Sequence, residues 1–134
     1  MTVSNSQENH SLYYILPPLL GLISVATGAF GAHGLEGKIA PQNIEWWQTA
    51  SDYLMYHSLA SLFAISMYSS LPKLKHCTSL FAIGSLLFCG SLFFMALTNN
   101  KSLALLTPLG GLLYLAGWGY MIWQFLRLRI KTTS

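Results

Sequence analysis

Charge is what this sequence has least of. Asp, Glu, Lys and Arg together make up 8% of its 134 residues, against about 25% in an ordinary soluble domain. A chain this short has a large surface for its volume, so the shortage excludes a water-soluble single domain. The seven basic and four acidic residues also avoid most of the chain: Glu8, then Glu36, Lys38, Glu45 and Asp52, then Lys73 and Lys75, then Lys101, then Arg127, Arg129 and Lys131. Cysteine is nearly absent too. Cys77 and Cys89 share one apolar run, where a helix would hold them about 18 Å apart; that excludes a bridge between them and leaves two free thiols. Also missing are a P-loop, a GxGxxG after a strand, a GxSxG elbow, and any HxxxH, CxxC or carboxylate pair at ligand spacing. No catalytic residue, metal site or cofactor is therefore expected, and the chain reads as a non-enzyme.

What remains is hydrophobic, 53% of the residues. A bilayer core about 30 Å thick is crossed by roughly 20 apolar residues in a helix, and four such runs are present. The first is Ile15–Ala32, with Pro17 and Pro18 placed in its first turn, where backbone N–H groups lack partners anyway. The second starts near Pro41 and continues to about Leu71. The third is Cys77–Leu97. The fourth lies between Lys101 and Arg127, with Thr107 as N-cap and Pro108 as first helical residue, which makes 98–107 a short interfacial loop. The residues before the first run include Glu8 and no Lys or Arg, so that run lacks the basic region of a cleavable signal and is expected to be retained. The fold class expected is all-α: a four-helix transmembrane bundle over 15–126 with short loops, a polar segment at 1–14 and a basic tail at 127–134.

The basic residues flank apolar runs, the pattern of membrane anchoring and not of a nucleic-acid face. With four spans, the N-terminus, the loop at 72–76 and the C-terminus share one side, which carries Lys73, Lys75, Arg127, Arg129 and Lys131 against Lys38 and Lys101 opposite. That bias predicts both termini on the cytoplasmic side, or the matrix side of an organelle. A bacterial cytoplasmic membrane is the expected location, with the mitochondrial inner membrane as the alternative. Trp46, Trp47, Tyr13, Tyr14 and Tyr68 lie near run ends, at the depth that amphipathic rings prefer.

Leu against Leu gains little in lipid, so small residues and polar contacts carry helix packing. Gly21, Ser24, Gly28, Gly31 and Ala32 recur by threes and fours and predict one close-packing face on the first helix. Gly110 and Gly117 are packing candidates on the fourth. Such faces serve contacts within one bundle, a homo-oligomer or docking to a larger membrane complex. The residues able to carry chemistry cluster around the second run. His57 falls midway between Trp47 and Tyr68, a depth at which a charge is costly and a polar side chain is a candidate functional group. Asp52 shares a face with Tyr56 one turn on, but lies about 140° round the helix from His57, so the two cannot chelate an ion or act as a catalytic pair unaided. His33 closes the first run and could approach the top of the second. The candidate cluster is His33, Asp52, Tyr56 and His57. The bland reading of His57 is a neutral imidazole that hydrogen-bonds across helices.

Four blocks carry a resemblance. Gly28–Leu35 reads GAFGAHGL, Trp47–Leu59 reads WQTASDYLMYHSL, Leu87–Thr98 reads LFCGSLFFMALT and Thr107–Trp118 reads TPLGGLLYLAGW. In that order and spacing the chain, over roughly 19–126, resembles the small membrane proteins grouped as domain-of-unknown-function family 423, the transmembrane protein 256-like family. The resemblance implies a four-helix membrane protein and supplies no activity, substrate or cofactor. On its pattern His33 and His57 match motif histidines, and Cys89 stands where a serine is expected, which argues against a dedicated thiol role. The function expected is a non-enzymatic accessory or organising protein that acts through helix contacts; the alternative is a small transporter or permeation element built on the polar cluster around His57.

Overall fold

The computed structural model describes residues 4–132, with side chains from Leu12 to Arg129. Four long helices account for nearly all of it: α1 Ser4–Phe30, α2 Pro41–Ser66, α3 Lys75–Thr98 and α4 Leu106–Thr132. They have 27, 26, 24 and 27 residues, so each is about 36–41 Å long at 1.5 Å per residue and exceeds the hydrocarbon thickness. A π turn at Gly31–Leu35 ends α1, and 3₁₀ turns at Pro72–Leu74 and Lys101–Leu103 precede α3 and α4. No strand occurs among the described residues.

Three local expectations need correction. Helix α1 starts well before the apolar run, so Pro17 and Pro18 lie inside it. Proline within a membrane helix is tolerated when neighbouring groups hold the backbone, and here Ser58 Oγ of α2 donates to the Pro17 carbonyl at 2.7 Å. Helix α4 starts at Leu106, which puts Thr107 inside the first turn and not at the N-cap; its hydroxyl bonds Ser91 Oγ of α3 at 2.7 Å. Third, the segments outside 15–126 continue the helices as far as Ser4 and Thr132.

The surface is apolar and the interior holds the polar groups. Leu22, Leu86, Leu112, Leu115 and Ile122 are exposed, while Ser24, Asn43, Ser51, His57, Ser58, Ser61, Ser85, Ser91 and Gln124 are buried. Lipid solvates the first set, and in the second Ser24, Asn43, Ser51, His57, Ser58, Ser85 and Ser91 find partners across helices, which lowers the cost of a polar group inside the membrane. This also bears on why, among the described residues, only Leu12–Leu35 and Pro72–Thr98, with mean hydropathy 1.7 and 2.2, qualify as spans by composition alone. Helix α2 looks too polar because Asn43, Ser51, His57, Ser58 and Ser61 all point inward.

The helices pack in chain order. Helix α1 lies on α2, α2 on α3 and α3 on α4, whereas among the described residues α4 makes no comparable backbone approach to α1 or α2. The α1–α2 contact is sewn by side chains: Ser24 Oγ donates to the Ser51 carbonyl at 2.7 Å, Ser51 Oγ donates to Thr27 Oγ1 at 3.1 Å, and Trp47 Nε1 donates to the Thr27 carbonyl at 2.7 Å. Between α3 and α4, a Cβ on Gly110 would lie 2.7 Å from the Gly84 carbonyl oxygen and against the Phe88 backbone nitrogen. Only glycine permits that approach.

Candidate functional site

The open packing order leaves a cleft between α2 and α4, floored by α3. It holds about 770 Å³ and is lined by Tyr53, Tyr56 and His57 from α2, Phe88 from α3, and Pro108, Gly111, Leu112, Tyr114, Leu115 and Trp118 from α4. The walls are almost wholly aromatic and aliphatic, and the cleft opens sideways toward lipid.

His57 closes its inner end. The residue is 4% exposed. Its ring stacks on Tyr114 with centroids 3.4 Å apart and planes 5° apart; Phe81 approaches at 5.2 Å and the Trp118 ring at 6.2 Å. Both ring nitrogens are engaged. Trp118 Nε1 lies 3.2 Å from Nε2, and the Tyr53 carbonyl lies 2.8 Å from Nδ1. An indole N–H only donates and a carbonyl only accepts, so the partners assign the proton to Nδ1 and a free lone pair to Nε2. His57 is the neutral Nδ1–H tautomer. The expectation of a neutral imidazole bonded to a neighbouring helix agrees with this geometry, and His57 joins α2 to α4 where their backbones stay apart.

Behind the stack runs a second polar chain. Tyr114 Oη donates to Ser85 Oγ at 3.0 Å, which leaves Cys89 Sγ, at 3.3 Å, to donate to the same phenol oxygen. Both cysteines are buried free thiols, and Cys89 here does the work of a serine hydroxyl. Sequence reasoning overlooked Tyr114 and Trp118 as partners of His57. The signal available was positional: each of three helices carries an i, i+4 pair with a polar member, Tyr53/His57 on α2, Ser85/Cys89 on α3 and Tyr114/Trp118 on α4, and such pairs share a face.

The other cluster candidates are not brought to His57. His33 is exposed on the π turn, and Asp52 is exposed on the outer face of α2. Tyr56 is 56% exposed and reaches the site only as part of the cleft rim, its ring 5.9 Å from that of Tyr53. The cause is helical phase, because consecutive residues diverge by about 100° and His57 faces inward. Among the described residues no group of three or more His, Cys, Asp or Glu side chains could hold a metal ion.

The packing candidates divide in the same manner. Gly21 lies under Ser58 Oγ, Gly31 under the Trp47 ring and Gly117 under the Phe81 ring, with a Cβ at 2.9, 2.6 and 2.5 Å respectively. Ser24 is buried in the α1–α2 seam. Gly28 and Ala32 need correction: both are exposed, and a Cβ on Gly28 would meet nothing within 4 Å. The seam centres on Ser24, Thr27 and Gly31, and Gly28, about 40° round from Ser24, falls off its edge.

Comparison with known proteins agrees with the family read from the four blocks. The family described as "Protein of unknown function (DUF423)" matches residues 27–111. The chain is 42% identical to a UPF0382 membrane protein of Staphylococcus haemolyticus over 113 residues, 83% of this chain and 92% of the relative. It is 38% identical to the UPF0382 inner membrane protein YgdD of Escherichia coli K12 over 122 residues, 90% and 93% of the two chains. No solved structure gives a significant match.

Proposed function

Since the chain belongs to the DUF423 family of membrane proteins, we propose that it is a non-enzymatic accessory protein that organises a membrane complex by receiving a transmembrane helix of a partner protein in the α2–α4 cleft. The observation that carries this reading is the outer face of α2 beside the cleft. Asp52 and Tyr56 are both exposed there, and Asp52 stands about 16 Å along the helix from Pro41 at 1.5 Å per residue. A carboxylate turned outward at that depth is costly in lipid and calls for a polar partner. The chain itself turns its polar residues inward, so that partner belongs to another molecule, with a basic or hydroxyl side chain at the level of Asp52. Glycines left uncovered at Gly28, Gly90 and Gly119 are further places where a foreign helix can come close. The membrane we propose is the bacterial cytoplasmic membrane, supported by relatives named inner membrane proteins.

Transport through the His57 region has less support. Both ring nitrogens already serve internal hydrogen bonds, so a proton or solute would have to displace Trp118 or the Tyr53 carbonyl. The test is affinity purification from native membranes in mild detergent, with the wild-type chain beside Asp52→Leu and Gly111→Phe, the second of which fills the cleft. A stoichiometric membrane partner lost from both variants supports the proposal. Recovery of a homo-oligomer with a water-filled centre, and no second protein, would favour permeation.

A further inference from the structure

A second hollow lies at the opposite end of α4, where its last turns meet the α2–α3 connection. It holds about 270 Å³ and is lined by Ser70, Leu71, Pro72, Lys73, Gln124, Arg127 and Leu128. Two basic side chains reach it from different elements, and among the described residues no acidic side chain lines it. The Arg127 guanidinium rests on the Trp123 ring, 3.9 Å from its centroid, which holds the cation at the mouth. The inner wall includes Gln124, 4% exposed, whose Nε2 finds no hydrogen-bond partner among the described residues. A buried amide with two unmatched donors is rare in a folded protein and asks for an acceptor.

We propose that this hollow binds a phosphate group. Two cations from facing elements, a hydroxyl at Ser70 and a buried amide donor offer what a tetrahedral oxyanion accepts. The position suits it as well, since basic pockets between membrane helices at the headgroup level take anionic lipid headgroups. The volume exceeds that of a bare anion, as water occupies about 30 Å³ in the liquid, and has room for a phosphodiester with its first glycerol atoms. The phosphate is that of an anionic phospholipid or a free anion, and the two are separable by experiment.

The full chain in dodecyl maltoside, which carries no phosphate, is titrated with phosphatidylglycerol, with inorganic phosphate, and with diacylglycerol of the same acyl chains, and thermal shift reads binding. Saturable stabilisation by either phosphate-bearing probe and none by diacylglycerol is expected. A response to phosphatidylglycerol alone identifies a lipid headgroup, and a response to inorganic phosphate identifies a free anion; both support the site. Lys73→Gln with Arg127→Gln should weaken binding by roughly tenfold or more, the loss expected of a charge-assisted hydrogen bond. Both residues are exposed, so the ligand-free melting point should hold; Lys73→Gln alone serves if the double variant does not fold. Gln124→Met, which keeps the bulk and removes the donors, should weaken it severalfold. Equal stabilisation by diacylglycerol, no saturable response to either phosphate probe, or unchanged affinity in the charge variants or in Gln124→Met would overturn the site.

Discussion

His57 of α2 and Tyr114 of α4 lie face to face, 3.4 Å between ring centroids and 5° between planes, across a gap that their helix backbones do not close. Beside a looser Tyr53–Tyr114 ring contact at 6.2 Å, His57 makes two connections that hold α4 to α2 at this level: that stack, and the Trp118 N–H donated to its Nε2. An aromatic pair contributes about 0.5–1.5 kcal/mol beyond its area, and an intramembrane hydrogen bond averages about 0.6 kcal/mol with a maximum near 1.7. His57→Leu loses both and should destabilise the folded chain by about 1–3 kcal/mol. His57→Gln keeps an acceptor for the indole and should fall between the two. Tyr114→Phe retains the stack while losing the bonds to Ser85 and Cys89, for about 0.6–1.7 kcal/mol. Unfolding in detergent by a graded denaturant measures the order. Equal stability of the Leu and Gln variants would mean that the hydrogen bond to Trp118 contributes nothing.

Glycine positions offer a sharper contrast. Gly110 faces the Gly84 carbonyl oxygen and the Phe88 backbone nitrogen, neither of which can rotate away, so Gly110→Ala should cost about 1–3 kcal/mol or more through overpacking. Gly28 has open space over it. Gly28→Ala should be neutral or stabilising by up to about 1 kcal/mol, because alanine is the better helix former. Extraction yield and melting temperature of the two variants decide the matter, and a Gly28 variant as damaged as the Gly110 variant would put a helix over Gly28.

The contrast also marks what could be read from sequence. Helix number and approximate limits follow from run length against bilayer thickness, and His57 stands out by depth alone. The stripe of Gly21, Ser24 and Gly31 was legible because helical phase is a property of one segment. Gly28 shares that phase within about 40°, and its exclusion depends on how α1 leans on α2, which no single segment encodes. Tyr114 and Trp118 escaped for the same reason: contact between positions 57 and 114 depends on the rotation of α3 between them. Trp47 sits at the expected end of α2 but is buried, since Gly31 leaves room for an indole where a larger residue would keep it at the surface.

Topology can be tested directly. Lys73, Lys75, Arg127, Arg129 and Lys131 lie on one side of the four-span arrangement, with Lys38 and Lys101 on the other, a bias that predicts the first side in the cytoplasm. A reporter fused after Ser134 is expected to be active only in the cytoplasm. A cysteine introduced at Gly37, in the turn between α1 and α2, should react with an impermeant maleimide in intact cells. Reaction only after permeabilisation would reverse the orientation.

The last prediction concerns Gly31 and Trp47, the tightest side-chain contact of the α1–α2 seam. A Cβ on Gly31 would sit 2.6 Å from Trp47 Cδ1, and the indole cannot swing aside without breaking its 2.7 Å bond to the Thr27 carbonyl and its ring contact with Phe93, 4.6 Å between centroids. Gly31→Ala should therefore destabilise by about 1–3 kcal/mol, as overpacking does. Trp47→Ala removes the N–H and the ring, and should also destabilise, through the lost bond and the space left behind. The two losses should not add. The space vacated in Trp47→Ala is where the methyl added by Gly31→Ala must go, so the double variant should be less damaged than the sum by about 0.5–3 kcal/mol, the range for residues in contact. A double-mutant cycle on unfolding in detergent measures the coupling. Strict additivity would mean that α1 shifts to accommodate the methyl, and that Gly31 is not where the seam is closest.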